Sequence, residues 1–167
     1  MIYSNPQILS NLDIEYLSKR FDIKLNACVS KDMLRTIKPK SGGYVINLQD
    51  LADGNGSHWV ALHLSRGCAI YFDSFGCVCP LDVLDFCNRY SRTFDIIHSE
   101  TQIQDIKQEC CGYYALYFLH WIQSKPRLKY NLDYYLNSFI RIFDINDFSK
   151  NDNILQEFFR QLWKTKK

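Results

Sequence analysis

The run Tyr113-Tyr114-Ala115-Leu116-Tyr117-Phe118-Leu119 constrains this chain more than any other stretch, because it carries bulky apolar side chains all round and follows the polar segment Gln104-Asp105-Ile106-Lys107-Gln108-Glu109. A helix of that composition has to be buried on most sides, so the other elements must be built around it. The 167 residues suffice for one such core and are too few for two domains of ordinary size, so residues 1–167 are read as a single domain. At the start of the helix stand Cys110, Cys111 and Gly112. The first N–H groups of a helix have no intrahelical partner, and the helix dipole puts partial positive charge there. A thiolate is therefore favoured and its nucleophilicity becomes usable. The same N–H groups could hold an oxyanion, and Gly112 would let a substrate backbone approach closely. The commoner fate of such cysteines is plain packing, and these features alone do not choose between Cys110 and Cys111.

Around that helix the signals alternate. Ser10 is a plausible N-cap for a peripheral helix through Leu12, Tyr16 and Leu17 to Arg20, after a turn at Asn5-Pro6. Residues 22–40 show no clear periodicity. Lys38 to Gly43 is a loop leading into a strand over Tyr44 to Leu48. His58 to Leu64 is apolar on both faces, which predicts a central strand. It returns through a turn near Ser65-Arg66-Gly67 to a strand over Cys68 to Asp73. A helix is predicted after Pro80, a strand over Phe94 to His98, a break at Lys125-Pro126, and helices near 131–143 and 151–164. Strands crowded into the middle with helices about them predict an α+β fold: a central mixed or antiparallel sheet packed by helices, with the cysteines at the N-terminus of the buried central one.

Composition serves mainly to exclude. No apolar run approaches the roughly 18 residues of a membrane span, and the first residues lack a secretory signal. The seven cysteines, an odd number, are accordingly read as reduced thiols rather than a disulfide framework. A net charge of +2 marks no nucleic-acid binder, and the Lys164-Thr165-Lys166-Lys167 tail is read as solvated. Cys77 and Cys79, with Cys68 and Cys87 nearby, lack the paired knuckles of a structural zinc site, so no metal and no cofactor is expected. His63, His98 and His120 are not read as ligands.

A cysteine nucleophile requires a base, a group that orients the base, and donors for the tetrahedral oxyanion. His58 and Asp73 supply the first two. With Ser65-Arg66 as a two-residue hairpin loop, His58 stands opposite Asp73, with Cβ atoms ~5 Å apart. With Arg66-Gly67 as the loop, Val60 takes that place, but parity keeps both side chains on one face. A neutral amide in the polar loop is the natural further donor, and Gln102, Gln104 and Gln108 all qualify.

The segments Gly43-Tyr44-Val45-Ile46-Asn47-Leu48, Gly56-Ser57-His58-Trp59-Val60-Ala61-Leu62, Tyr71-Phe72-Asp73-Ser74-Phe75-Gly76 and Gln104 through Phe118, in that order, resemble the adenovirus endopeptidase family. They look closest to its relatives in virophages and large virus-like transposons, in the clan that also holds the ubiquitin-like-protein (SUMO) peptidases. The resemblance covers about residues 43 to 120. It implies a triad in the order His58, Asp73, Cys111, with Asp standing where some relatives have Glu or Asn. It also implies a glutamine seven positions before the nucleophile, which selects Gln104, and a nucleophile immediately before glycine, which selects Cys111 over Cys110. Trp59 resembles the tryptophan that helps wall the substrate cleft. The substrate-binding residues expected are thus Trp59 and Gly112.

The function so implied is a cysteine endopeptidase acting on viral or virus-like precursor proteins during capsid maturation, inside virion or infected cell, expected as a monomer with no membrane partner. Glycine before the scissile bond is expected, both from the resemblance and because aromatic walls at Trp59, Tyr113 and Tyr114 would crowd β-carbons. The alternatives are a peptidase that removes ubiquitin-like modifiers and an acetyltransferase of the same clan. The adenovirus enzyme is activated by DNA and by a cysteine-bearing peptide, and no residue here is assigned to either. Residues 1–42 and 125–167 carry no resemblance.

Overall fold

The computed structural model describes residues 8–54, 58–65, 67–90, 95–125 and 131–165. The expectations for Asn5-Pro6, Gly56-Ser57, Arg66, Phe94, Pro126 and the tail beyond Thr165 lie outside them. Five strands, β1 (Leu25–Ser30), β2 (Gly42–Asn47), β3 (Trp59–Ser65), β4 (Cys68–Phe72) and β5 (Asp95–His98), form one sheet in sequence order. β1 runs parallel to β2 and β5 parallel to β4, while β2/β3 and β3/β4 are antiparallel. The helices are α1 (Asn11–Arg20), α2 (Leu81–Tyr90), α3 (Cys111–Gln123), α4 (Leu132–Ile140) and α5 (Ser149–Thr165). The α+β expectation is met, with β3 in the middle of the sheet as its two apolar faces require.

Alternation along the strands builds two cores. Tyr44, Ile46, Val60, Leu62, Leu64 and Tyr71 face α2, packing with Val83 and Phe86. Val45, Trp59, Ala61, Ile70 and Phe72 face α3, whose far side is covered by α1, α4 and α5 through residues such as Leu17, Phe139 and Phe159. From Cys111 to Leu119 only Tyr117 is even partly exposed, so α3 is buried on most sides as its composition demands. Phe72, Phe118 and Phe139 interlock, with Phe72 stacked on Phe118 at 4.9 Å between ring centres.

Two sequence expectations change, and one left open is decided. β1, parallel to β2, lies in the region that showed no periodicity; it is an edge strand whose residues are nearly all half-buried, so no two-residue alternation reaches the sequence. In α1, Ser10 does cap the helix, in a reciprocal box with Asp13, but Leu12 and Tyr16 are exposed. Ile14 and Leu17 are its buried apolar residues and tie α1 into the main core, so the helix is not peripheral. Of the two hairpin registers the sequence allowed, β3/β4 takes the one that sets Ser65 opposite Cys68 and Ala61 opposite Phe72.

Candidate active site

The site forms where one end of the sheet meets the N-terminus of α3. His58 immediately precedes β3 and Asp73 immediately follows β4. In the observed register they are diagonal neighbours on one face, a separation long side chains bridge. His58 Nε2 and Asp73 Oδ1 lie 2.8 Å apart. Asp73 is fully buried, and the same Oδ1 accepts the Phe75 backbone N–H at 2.8 Å. The imidazole is also held by stacking: the Phe75 ring lies on it at 4.4 Å, nearly parallel. Nothing local in the sequence around Phe75 announces the stack.

With Nε2 occupied by Asp73, Nδ1 is the nitrogen left to meet the thiol. Nδ1 is buried and has no conventional hydrogen-bond partner. Burial alone would push the His58 pKa down. The hydrogen bond to Asp73, the interaction with Cys111 and the negative charge of both outweigh it and hold the pKa at about 9. Cys111 is the first residue of α3, 7% exposed, and its Sγ accepts the Trp59 backbone N–H at 3.4 Å. The helix closes through Tyr113 and Tyr114 donating to Cys110 O, which leaves the N–H groups of Cys111 and Gly112 without an intrahelical partner. Cys110 instead faces inward, where burial and the Asp152 carboxylate push its pKa far up, away from thiolate character.

Gln104 is fully buried and held at both ends of its amide. Its Oε1 accepts the Ser74 hydroxyl at 2.7 Å, and its Nε2 donates to Gln108 O at 2.7 Å. The backbone N–H groups of Ile103 and Gln104 both donate to Ser74 O. The turn that carries Asp73 and Phe75 therefore also carries Gln104, and one Nε2 hydrogen is left for a further acceptor. Gln102 points elsewhere, donating to Gln104 O. Gly76 closes this turn with φ +71°, and a β-carbon there would come within 2.8 Å of Gln102 N.

A β-carbon on Gly112 would meet Leu9 side-chain atoms at 3.2–3.5 Å, so the N-terminal segment packs beside it. One expectation about the cleft is corrected: Tyr113 and Tyr114 do not wall a slot, since both are buried, against Phe159 and Phe143 respectively. Trp59 is 6% exposed, and its Nε1 donates to Leu9 O at 2.8 Å. A groove of about 560 Å³ runs past it, bounded also by Ile8, Met33, Gln49 and Leu51. Among the described residues no group of three or more His, Cys, Asp or Glu is arranged to hold a metal ion, and no helix is long and apolar enough to cross a membrane. None of the seven cysteines is in a disulfide.

No protein-family model matches the chain, and no curated protein matches it in sequence. Solved structures do. The ASFV protease superposes with a TM-score of 0.55 at 16% identity, over 83% of this chain and 64% of its own. ChlaDub1 from Chlamydia trachomatis superposes with a TM-score of 0.50 at 14% identity, over 96% of this chain and 80% of its own. SUMO protease Ulp1 also matches, with a TM-score of 0.47 at 16% identity over 83% and 76%. The chain thus spans about two thirds of the ASFV protease. What it shares with the first two is the fold, a mixed α+β architecture of a five-stranded mixed sheet packed by helices.

Proposed function

We propose that this chain is a cysteine peptidase in which Cys111 is the nucleophile, His58 the base and then acid, Asp73 the group that orients His58, and Gln104 with the Cys111 backbone N–H the oxyanion donors. The observation that carries the reading is the arrangement of the buried Asp73 carboxylate bonded to His58 Nε2, the Phe75 ring stacked on that imidazole with Nδ1 left over, and a Cys111 thiol at a helix N-terminus that accepts the N–H of Trp59, the residue after His58. Each partner is of the type its role requires.

Catalysis would run as follows. The Cys111 proton passes to His58 Nδ1, and Asp73 stabilises the resulting imidazolium across Nε2. The thiolate attacks the scissile carbonyl carbon, forming an S–C bond while the carbonyl π electrons move onto oxygen. That oxyanion meets the N–H at the start of α3 and the remaining Gln104 Nε2 hydrogen. As the C–N bond breaks, His58 returns its proton to the leaving amine. Water, deprotonated by His58, then attacks the thioester and releases the acid, with the proton returning to the thiol.

The substrates we propose are viral or virus-like precursor proteins, cut after glycine-containing sites during particle maturation. The groove past Trp59 would take the residues before the scissile bond in extended form. The same machinery could remove a ubiquitin-like modifier, and the experiment separates the two. A Gly-Gly-7-amino-4-methylcoumarin peptide, a ubiquitin-like-modifier conjugate and a co-expressed precursor are offered to wild type, Cys111→Ala and Cys110→Ala enzyme. Cys111→Ala is expected to lose all cleavage with an unchanged melting temperature, and Cys110→Ala to keep most of it. The precursor should be cut and the conjugate not. Cleavage surviving Cys111→Ala, with loss in Cys110→Ala, would move the nucleophile by one residue.

A further inference from the structure

The C-terminal helix α5 carried no assigned role, yet its first turn grips both ends of the segment that bears Gln104. Asn151 is fully buried; its Nδ2 donates to Ile103 O at 2.7 Å and to Asp144 O at 2.8 Å, and its Oδ1 accepts the Asp144 N–H at 2.8 Å. Next to it, Asp152 Oδ2 accepts Gln108 Nε2 at 2.5 Å, and its Oδ1 lies 3.7 Å from the Cys110 thiol. Gln108 in turn presents the carbonyl that holds Gln104 Nε2. The contacts run unbroken from the helix carboxylate through Gln108 to the amide proposed as oxyanion donor, and also to Cys110, the residue before the proposed nucleophile.

We infer that Asp152, seated beside Asn151 on α5, is a positioning residue that latches the Ile103–Cys110 loop and so sets the aim of the Gln104 amide. Ser74 fixes the oxygen end of that amide and Gln108 O the nitrogen end. An amide fixed at both ends keeps one hydrogen in one direction, which is what a donor to a transient oxyanion must do. Charge matters here. A carboxylate accepts the Gln108 side-chain N–H more strongly than a neutral group would, without offering a competing donor. The inference rests on Gln104 acting in the oxyanion hole, as proposed above, and it adds that a residue of the last helix governs how well Gln104 does so.

The test is a double-mutant cycle read in kcat and KM with the Gly-Gly-7-amino-4-methylcoumarin peptide, joined to the side-chain amide signals of Gln104 in ¹⁵N-labelled protein. Asp152→Ala is expected to lower kcat by about ten- to a hundred-fold with little change in KM, the ceiling being the loss of the Gln104 donor itself. In a Gln104→Ala background it should have almost no further effect, since the group it aims is gone. Asp152→Asn, which can still accept from Gln108, should recover part of the rate. The Gln104 amide signals should shift in Asp152→Ala while those of the sheet do not. An equal loss in both backgrounds, or an unchanged kcat with unmoved Gln104 signals, overturns the inference. If wild-type enzyme cleaves no substrate and Cys111 resists alkylation, the proposed function fails by itself. The amide signals then decide the latch alone: shifted, it stands; unmoved, it falls.

Discussion

At the scale of single residues, the ionisation of His58 offers the most direct check. Its pKa is raised from the ordinary 6.5 to about 9, against the opposing effect of burial, by the bond to Asp73 and the interaction with Cys111. A folded-state pKa above the unfolded one stabilises the protein fully below about 6.5, and that contribution is lost as pH rises through about 9. Asp73→Asn removes the carboxylate while leaving the burial, so the His58 pKa is expected to fall. The stability gap between wild type and variant should be wide at pH 6 and close above pH 9, as read by urea denaturation at each pH, with His58 ring signals followed by NMR. Activity should drop less in Asp73→Asn than in His58→Ala, because an amide oxygen still accepts the Nε2 hydrogen. His58 and Asp73 were legible in the sequence because strand parity survives an error in the loop. Phe75, which holds the same ring by stacking, was not, because a ring-on-ring contact leaves no periodic trace.

At the scale of elements, two glycines make opposite predictions. Gly76 sits at φ +71° with the backbone of Glu100, Thr101 and Gln102 within 2.9 Å of where a β-carbon would go. Backbone cannot yield as a side chain can. Gly76→Ala is expected to cost at least about 1–3 kcal/mol of stability and to lower the rate of the molecules that stay folded, since the turn holds Asp73, Phe75 and Gln104 together. For Gly112→Ala the nearest atoms are those of the Leu9 side chain, which can move by a few tenths of an ångström. That substitution should cost less than Gly76→Ala in thermal denaturation; loss of activity without loss of stability would support the substrate-contact role expected of Gly112, and retained activity would assign it to packing. The helix α3 itself was legible from its apolar content. The edge strand β1 was not, since half-buried residues on both faces blur the alternation that marks a strand.

At the scale of the whole molecule, the proposed active site depends on segments that sequence places far apart. Leu9 covers Gly112 with its side chain and holds Trp59 Nε1 with its carbonyl. Leu9→Ala should cost about 2–5 kcal/mol, as removal of a buried leucine does, and Leu9→Ala with Gly112→Ala together should cost less than the sum, because the smaller residue makes room for the new methyl. Equilibrium denaturation of the two single variants and the double variant measures the coupling. What the sequence determined by itself is whatever repeats or caps locally: the buried helix with cysteines at its start, the Ser10 cap, the central strand, and the shared face of His58 and Asp73. A linear chain records such features because each depends on neighbours a few positions away. Tertiary structure alone decided which hairpin register holds, which residue fills the space at Gly112, what stacks on His58 and what pins the Gln104 amide. Those contacts join residues such as 9 and 112, 59 and 111, or 108 and 152. Nothing within a few positions of either partner encodes the other, so only packing the sheet against α3 and α5 brings them into contact.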